Sequence, residues 1–511
     1  MQAGDEALAR RLPLLLLGVV GAAALLYTLT RAAVLSFTHD ESLTYLHYVL
    51  EPLDVTLESS GFSPANNHLL NSLLMRAGAW LVGPREIALR FHSWLGHVLY
   101  VSAAFLLARR LRSPAVAFGT FVLLVANPFL LDFFSLARGY GLGLGFTLMG
   151  LHELIGFFEQ SPPRVWRALL AFALLGCAVL CNFSFLNVYL AAGVVFFVLA
   201  VRSPGVRFRA AGAVTALSAL LVYWAASTLL ELREWGELYY GGQSGFFADT
   251  VQSLVRSSLY DRSWTDFLVL PLSVLAVGCF AASVLSLWKG GGQAGRITAG
   301  IALVAVFGIL LQHYLFGVRF VLDRAALFFL PLFFFTLGAA VDGKRRARVA
   351  SFGGAALVLL GHTLGCANFT HTLAWRFDAD TRRMLDDLVA WESAQGEPPG
   401  TIKRMGVNWI FEPAVNFYIQ SRGLTWLRRV DRKSVRGSYD YYFYAPTDEV
   451  LVARKKLQRI ASYPVTGNVL AVRDVRRVHQ GSGTSDSGTL QPSSTGRHAT
   501  LPDWQSAPPS F

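Results

Sequence analysis

The chain reads as a mainly α, polytopic membrane protein of about eleven transmembrane helices, with a small α/β domain near its C-terminal end. Three observations lead to that reading. The 511 residues are 53% hydrophobic and only 15% charged, with a mean hydropathy of +0.43, whereas a soluble chain ordinarily carries about 25% charged residues. Apolar runs of about 20 residues, the length that crosses a bilayer core, recur between residues 12 and 366. After about residue 370 the composition turns mixed and globular. The 37 Phe and 12 Trp suit lipid-facing and interfacial positions.

The first run, 12–30, follows a short polar start that ends in Arg10-Arg11. A cleavable signal peptide is the competing reading, but the run is long for a signal core and no small-x-small cleavage site follows it. It is read as an uncleaved span with its N-terminus in the cytoplasm. Further spans are expected at 86–108, 114–131, 139–158, 166–182, 184–201, 209–230, 265–288, 296–315, 325–341 and 348–366. The inner links then hold Arg109, Arg110 and Arg112; Arg164 and Arg167; Arg202, Arg207 and Arg209; Lys289 and Arg296; and Lys344, Arg345, Arg346 and Arg348. Each is basic and nearly free of acid, which is the positive-inside pattern. The net charge of +12 is thereby an orientation signal, not a nucleic-acid footprint. The C-terminal side falls outside. The order depends on a break at Asn182-Phe183; without it, every later basic link changes sides.

Residues 31–85 form the first outer segment. Leu69, Leu70, Leu73, Leu74, Ala77, Trp80 and Leu81 repeat in it at helical spacing, so an amphipathic helix is expected on the membrane surface. The outer link 231–264 carries Trp235, Tyr239, Tyr240 and a Gly241-Gly242 turn, and is long enough to serve either as a lid or as a passive connection. The transmembrane part covers 1–370, and the outer α/β domain 371–475. In that domain strands are expected at 404–410, 439–444 and 468–473, and a helix at 412–421 is stopped by Gly423. The Ser, Gly, Thr and Pro tail, 476–511, is expected to be disordered. Cys177, Cys181, Cys279 and Cys366 lie in or beside apolar runs without metal-ligand spacing, and read as packing residues.

Chemistry concentrates on the outer face. Phe37-Thr38-His39-Asp40-Glu41-Ser42 places two adjacent carboxylates just beyond the first span. A carboxylate near a bilayer is costly unless it meets water or a partner. There it is suited to taking a proton from a hydroxyl group as a general base, or to holding a divalent cation. At the same depth follow Asp132, Ser135, Arg138 and Tyr140, and later Arg319 and Arg324. Outward arginines run against the positive-inside trend and so point to an anionic partner, for which guanidinium is well shaped. Carboxylates and arginines on one membrane face, above long apolar helices, permit a lipid-linked phosphate sugar as ligand.

In four places the chain resembles the GT-C superfamily of membrane glycosyltransferases that use polyprenyl-phosphate sugars, among them the protein O-mannosyltransferases and the aminoarabinose transferase of lipid A. These are the acidic pair Asp40-Glu41, the Asn66-Asn67-His68-Leu69-Leu70 motif opening a helix in the same loop, the Ser135, Arg138, Tyr140 turn, and Arg319-Phe320 before a late span. The family often has His-Pro-Pro where this chain has His68-Leu69-Leu70. The resemblance covers about residues 10–340. It implies a multi-pass enzyme of the cell (inner) membrane that moves a sugar with inversion to a hydroxyl acceptor in the cell envelope. Asp40 is then the base. Glu41 either orients it or joins it in a metal site, since some relatives use a divalent metal and others none. Arg138, Arg319 and Arg324 bind the donor phosphate, and His39, Asn67, His68 and Tyr140 contact substrate. Two other classes stand beside this one. A transporter or flippase for a lipid-linked sugar would call for inverted repeats, and none is evident. A non-catalytic membrane assembly protein leaves the outward arginines unexplained.

Overall fold

The computed structural model describes residues 2–202, 206–260, 265–395 and 402–473. The tail expected at 476–511 lies outside them. Helices dominate, and each expected span falls on one: Gln2–Val34, Glu86–Ala108, Pro114–Val125, Tyr140–Glu159, Val165–Cys181, Leu186–Val201, Val206–Glu234, Asp266–Gly290, Gln293–Phe316, Phe329–Val341 and Arg346–Cys366. Among the described residues, 8 helical segments are long and apolar enough to cross a membrane. Pro114–Val125, Val165–Cys181 and Phe329–Val341 are shorter apolar helices.

The shortening at 114–131 has a local cause. Pro128 has no N–H to continue a helix and disfavours helical geometry at the residue before it. The helix ends at Val125, and Asn127 caps a new one, Pro128–Phe133, by accepting the Leu130 N–H at 3.0 Å. All six residues of this second helix are buried, so the chain that follows is turned into the protein instead of out to lipid. A comparable break occurs at Asn182. Its backbone is extended and its side chain accepts the Ser184 N–H at 2.9 Å, which starts a one-turn helix, Phe183–Phe185, before Leu186–Val201.

Helix Tyr140–Glu159 is the hub of the bundle. A side chain at Gly145 would collide with the Gly96 carbonyl, and one at Gly96 with the Leu142 backbone. Small residues thus let this helix and Glu86–Ala108 meet backbone to backbone, as tight packing in a membrane favours. The surface helix forms at Leu69–Val82 and leaves Trp80, Leu81 and Val82 exposed.

Toward the C-terminus four short strands form one sheet: β1 (Met405–Val407), β2 (Tyr441–Tyr444), β3 (Leu457–Ser462) and β4 (Val469–Arg473), in the order β1-β2-β4-β3. β1 runs parallel to β2, and the other pairs are antiparallel. The helix Glu412–Ser421 has the expected bounds; β3 and the helix Thr381–Gln395 have no counterpart in the sequence reading. The sheet does not bury its face alone. Phe37, Tyr45, Leu46 and Val49 share one core with Leu388, Phe417, Phe443 and Leu470. The segment bearing Asp40 is therefore clamped between the helical bundle and the sheet.

Candidate active site

Asp40 and Glu41 lie on a short helix, His39–Thr44. Their environments diverge completely. Glu41 is fully buried and saturated by protein donors. Its Oε1 accepts from Arg90 Nε at 2.8 Å and from the Ala137 N–H at 2.6 Å. Its Oε2 accepts from Arg90 Nη2 at 2.7 Å, Thr38 N–H at 3.0 Å and Thr38 Oγ1 at 2.9 Å. The Thr38 contacts close the start of the helix as a capping box. Arg90 in turn donates to the carbonyls of Ala32, Leu35 and Ser36. Glu41 thus ties the end of the first helix to the turn before Arg138. With its lone pairs engaged by protein donors, Glu41 is placed to hold the acidic helix in position beside Asp40.

The side chain of Asp40 keeps 18% exposure, with Oδ2 at 3.1 Å from Arg138 Nη2 and 3.9 Å from Arg324 Nη2. Burial pushes its carboxyl up, but Arg138, Arg324, His39 and Trp375 pull it down further, to about 2. Arg138 is buried at the end of a turn closed by Gly139, whose φ of +74° suits glycine and whose Cα faces the Cys181 carbonyl too closely for a side chain. Arg324 is flanked by two rings, with Tyr240 at 4.5 Å and Trp375 at 5.1 Å. The Trp375 ring also lies 6.0 Å from Arg138. Such contacts hold a guanidinium without neutralising it.

The other expected residues divide. Tyr140 and His68 meet edge to face at 5.8 Å. Burial first, and then Arg138, hold the His68 imidazole well below its usual range, so it is neutral. It contacts Asn182 Nδ2 at 3.2 Å. His39 is pinned toward the sheet: Nδ1 lies 2.6 Å from the Ile410 carbonyl and therefore carries a proton, while the His39 backbone N–H donates to Asp378 Oδ2 at 2.6 Å. Burial pushes the Asp378 carboxyl well above the usual range. Asn67 is consumed by its own loop, donating to the Thr56 carbonyl at 2.8 Å and to Ser59 Oγ at 2.9 Å while accepting from Ser72 at 2.7 Å. Its neighbour Asn66 is the residue that reaches the acidic helix, donating to the Asp40 carbonyl at 3.1 Å.

Arg319 is exposed, and its side chain reaches the Gly241 carbonyl at 3.5 Å. No ion pair joins it to Asp40 among the described residues. The element Arg319-Phe320 instead zips the 231–264 link in place, through the paired N–H to carbonyl bonds of Gly242 and Phe320 at 3.0 and 2.9 Å. That pairing delivers Tyr240 to Arg324.

Sequence reasoning missed Trp375 and Arg90 as members or supports of the site, and had Tyr240 only as part of a link that serves either as a lid or as a passive connection. Arg90 had a usable signal, since an ionisable residue inside an apolar span demands a partner. Trp375 had none. Among the described residues no group of three His, Cys, Asp or Glu is placed to hold a metal ion. The donor set at Asp40-Glu41 does not fit a divalent cation either: two guanidiniums approach Asp40, and Glu41 is spent on Arg90. Small cavities flank the cluster, one lined by Thr38, Trp375 and Asp378, the other by Asn67, His68, Asn182 and Trp224.

No protein-family model matches the chain, and no curated protein matches it. Solved structures do. ArnT from Cupriavidus metallidurans in the apo state aligns with 90% of this chain and 98% of its own, at 14% identity and a TM-score of 0.52. The same protein bound to undecaprenyl phosphate aligns over the same shares at 13% identity and a TM-score of 0.52. Arabinofuranosyltransferase AftD from Mycobacteria is a looser match at 15% identity and a TM-score of 0.46, over 89% of this chain and 40% of that one. The chain therefore has the fold of ArnT, on a polytopic helical body with a small sheet near its C-terminus.

Proposed function

We propose that this chain is an inverting glycosyltransferase that moves a sugar from a polyprenyl-phosphate donor to a hydroxyl acceptor at the outer face of the membrane. The observation that carries the reading is the meeting of one partly accessible carboxylate, Asp40, with two guanidiniums, Arg138 and Arg324, below a sheet and above apolar helices. The fold of a protein solved with undecaprenyl phosphate supports it. The basic inner links support an N-terminus in the cytoplasm with the site and the sheet on the other side.

In this reading Asp40 takes the proton of the acceptor hydroxyl. The freed oxygen attacks the anomeric carbon, the bond from that carbon to the phosphate oxygen breaks, and polyprenyl phosphate leaves with the electron pair. Arg138 and Arg324 hold the phosphate and stabilise the charge that grows on it. Tyr140 and the neutral His68 are assigned to contacts with the sugar or acceptor. Glu41, Asn67 and Arg319 support the scaffold.

The test is Asp40→Asn in the full-length protein, assayed for transfer from a polyprenyl-phosphate sugar to cell-envelope acceptors followed by mass spectrometry. Transfer should vanish while expression and insertion stay normal. Full transfer removes Asp40 as base, and donor crossing the bilayer with no acceptor modified marks a transporter instead.

A further inference from the structure

The three arginines beside the acidic helix differ in how well they are satisfied. Arg90 spends its guanidinium on both oxygens of Glu41 and on three carbonyls, at 2.7 to 3.2 Å. Arg138, only 3% exposed, has far less. Its Nη2 meets Asp40 Oδ2 at 3.1 Å, its Nη1 reaches the Asp40 carbonyl at 3.5 Å and Thr44 Oγ1 at 3.4 Å, and its buried Nε has no hydrogen-bond partner. The Nη1 contacts are at the long limit of hydrogen bonding. Arg324 lies 3.9 Å from the same Asp40 oxygen, between the Tyr240 and Trp375 rings.

Two cations thus share one carboxylate. Buried N–H groups left without acceptors are costly, so this corner is built for more negative charge and more acceptor oxygens than Asp40 supplies. A phosphodiester brings one further charge and free oxygens in the geometry guanidinium prefers.

We infer that Asp40 is the resting occupant of the anion pocket formed by Arg138 and Arg324, and that a lipid-linked phosphate takes these arginines over, freeing Asp40 to act as a base only in the donor complex. This rests on the function proposed above. It adds an order of events and a safeguard. A carboxylate gripped by two guanidiniums has little appetite for a proton, and a good general base needs one. Seating the donor moves the arginines from carboxylate to phosphate, and proton affinity at Asp40 rises just when an anomeric carbon is in place. When polyprenyl phosphate departs, Asp40 returns to the arginines and the base is quenched. Binding and basicity are two sides of one coupling, so each must affect the other equally.

The experiment measures binding of undecaprenyl phosphate, without any acceptor, to the full-length protein in lipid nanodiscs. Asp40→Asn removes the competing anion and is expected to bind about tenfold more tightly than the wild type, a coupling of common size. Asp40→Ser carries the same expectation should the amide variant fold poorly, and Asp40→Glu, which keeps the charge, should bind like the wild type. Unchanged or weaker binding in both neutral variants overturns the handover. If transfer is lost while binding is unchanged, the handover fails and the proposed function stands; if transfer is retained, Asp40 is not the base and the handover falls with it; if donor crosses the bilayer with no acceptor modified in the wild type, the proposed function itself fails.

Discussion

Asp40 and Glu41 are chain neighbours with the same chemistry, yet the molecule treats them as opposites. Glu41 meets an arginine, a threonine and a backbone N–H, and is wholly enclosed. Asp40 meets two arginines at 3.1 and 3.9 Å and keeps part of its surface open. One turns a helix end and a loop into a single body; the other is left with partners that a ligand can claim. A buried acid whose partners are complete is a brace, whereas one whose partners are incomplete and reachable is the candidate for chemistry.

The two acids should therefore fail differently when changed. Asp40→Asn should lower kcat for transfer about 100- to 10,000-fold, the usual contribution of a positioned base, with a much smaller loss of folded protein; comparable loss of both would erase the distinction. Glu41→Gln leaves Arg90 buried beside a neutral amide, and breaking such a pair costs about 3–5 kcal/mol. It should cut the yield of inserted protein and lower Tm, measured by thermal unfolding in detergent, while surviving molecules keep their kcat. Arg138→Lys and Arg324→Lys keep charge but lose the planar fork. Each should raise donor KM about tenfold, measured by initial rates, more than it changes thermal stability.

A smaller contrast lies in the pH dependence. The Asp40 carboxyl is depressed from 3.8 to about 2 in the folded chain. Its stabilising contribution is present above the unfolded value and is lost as pH falls through the folded one. The stability gap between wild type and Asp40→Asn, about 2 kcal/mol at neutral pH, should narrow only as pH drops from about 4 toward 2, as acid titration followed by intrinsic fluorescence would record. The smallest effect belongs to Arg319→Ala, which removes an exposed side chain and should change stability and donor KM within about 0.5 kcal/mol.

How much of this was legible beforehand varies with the physics involved. Each apolar run became a helix because bilayer length and backbone self-pairing leave few alternatives. The surface helix appeared at Leu69–Val82 because seven apolar positions repeat on one side of it. The site was visible only in outline. Asp40, Arg138 and Arg324 are brought together, but Arg319, chosen on the same grounds as Arg324, ends on the surface. At equal depth in the sequence, nothing local distinguishes an arginine that turns inward from one that anchors a loop.

Spacing and composition were enough to place a helix on each long apolar run, the acidic pair beyond the first of them, and the sheet-bearing segment at the end, because those follow from interactions within a few residues or with the solvent. Which acid became the brace was settled by Arg90, 49 residues away, and by Ala137, 96 residues away. Which arginines face Asp40 was settled by Trp375 and Tyr240, carried in on two further segments. Partners so distant in the chain meet only once the bundle and the sheet have closed on one another, and the charge on a carboxylate is set by what stands beside it then.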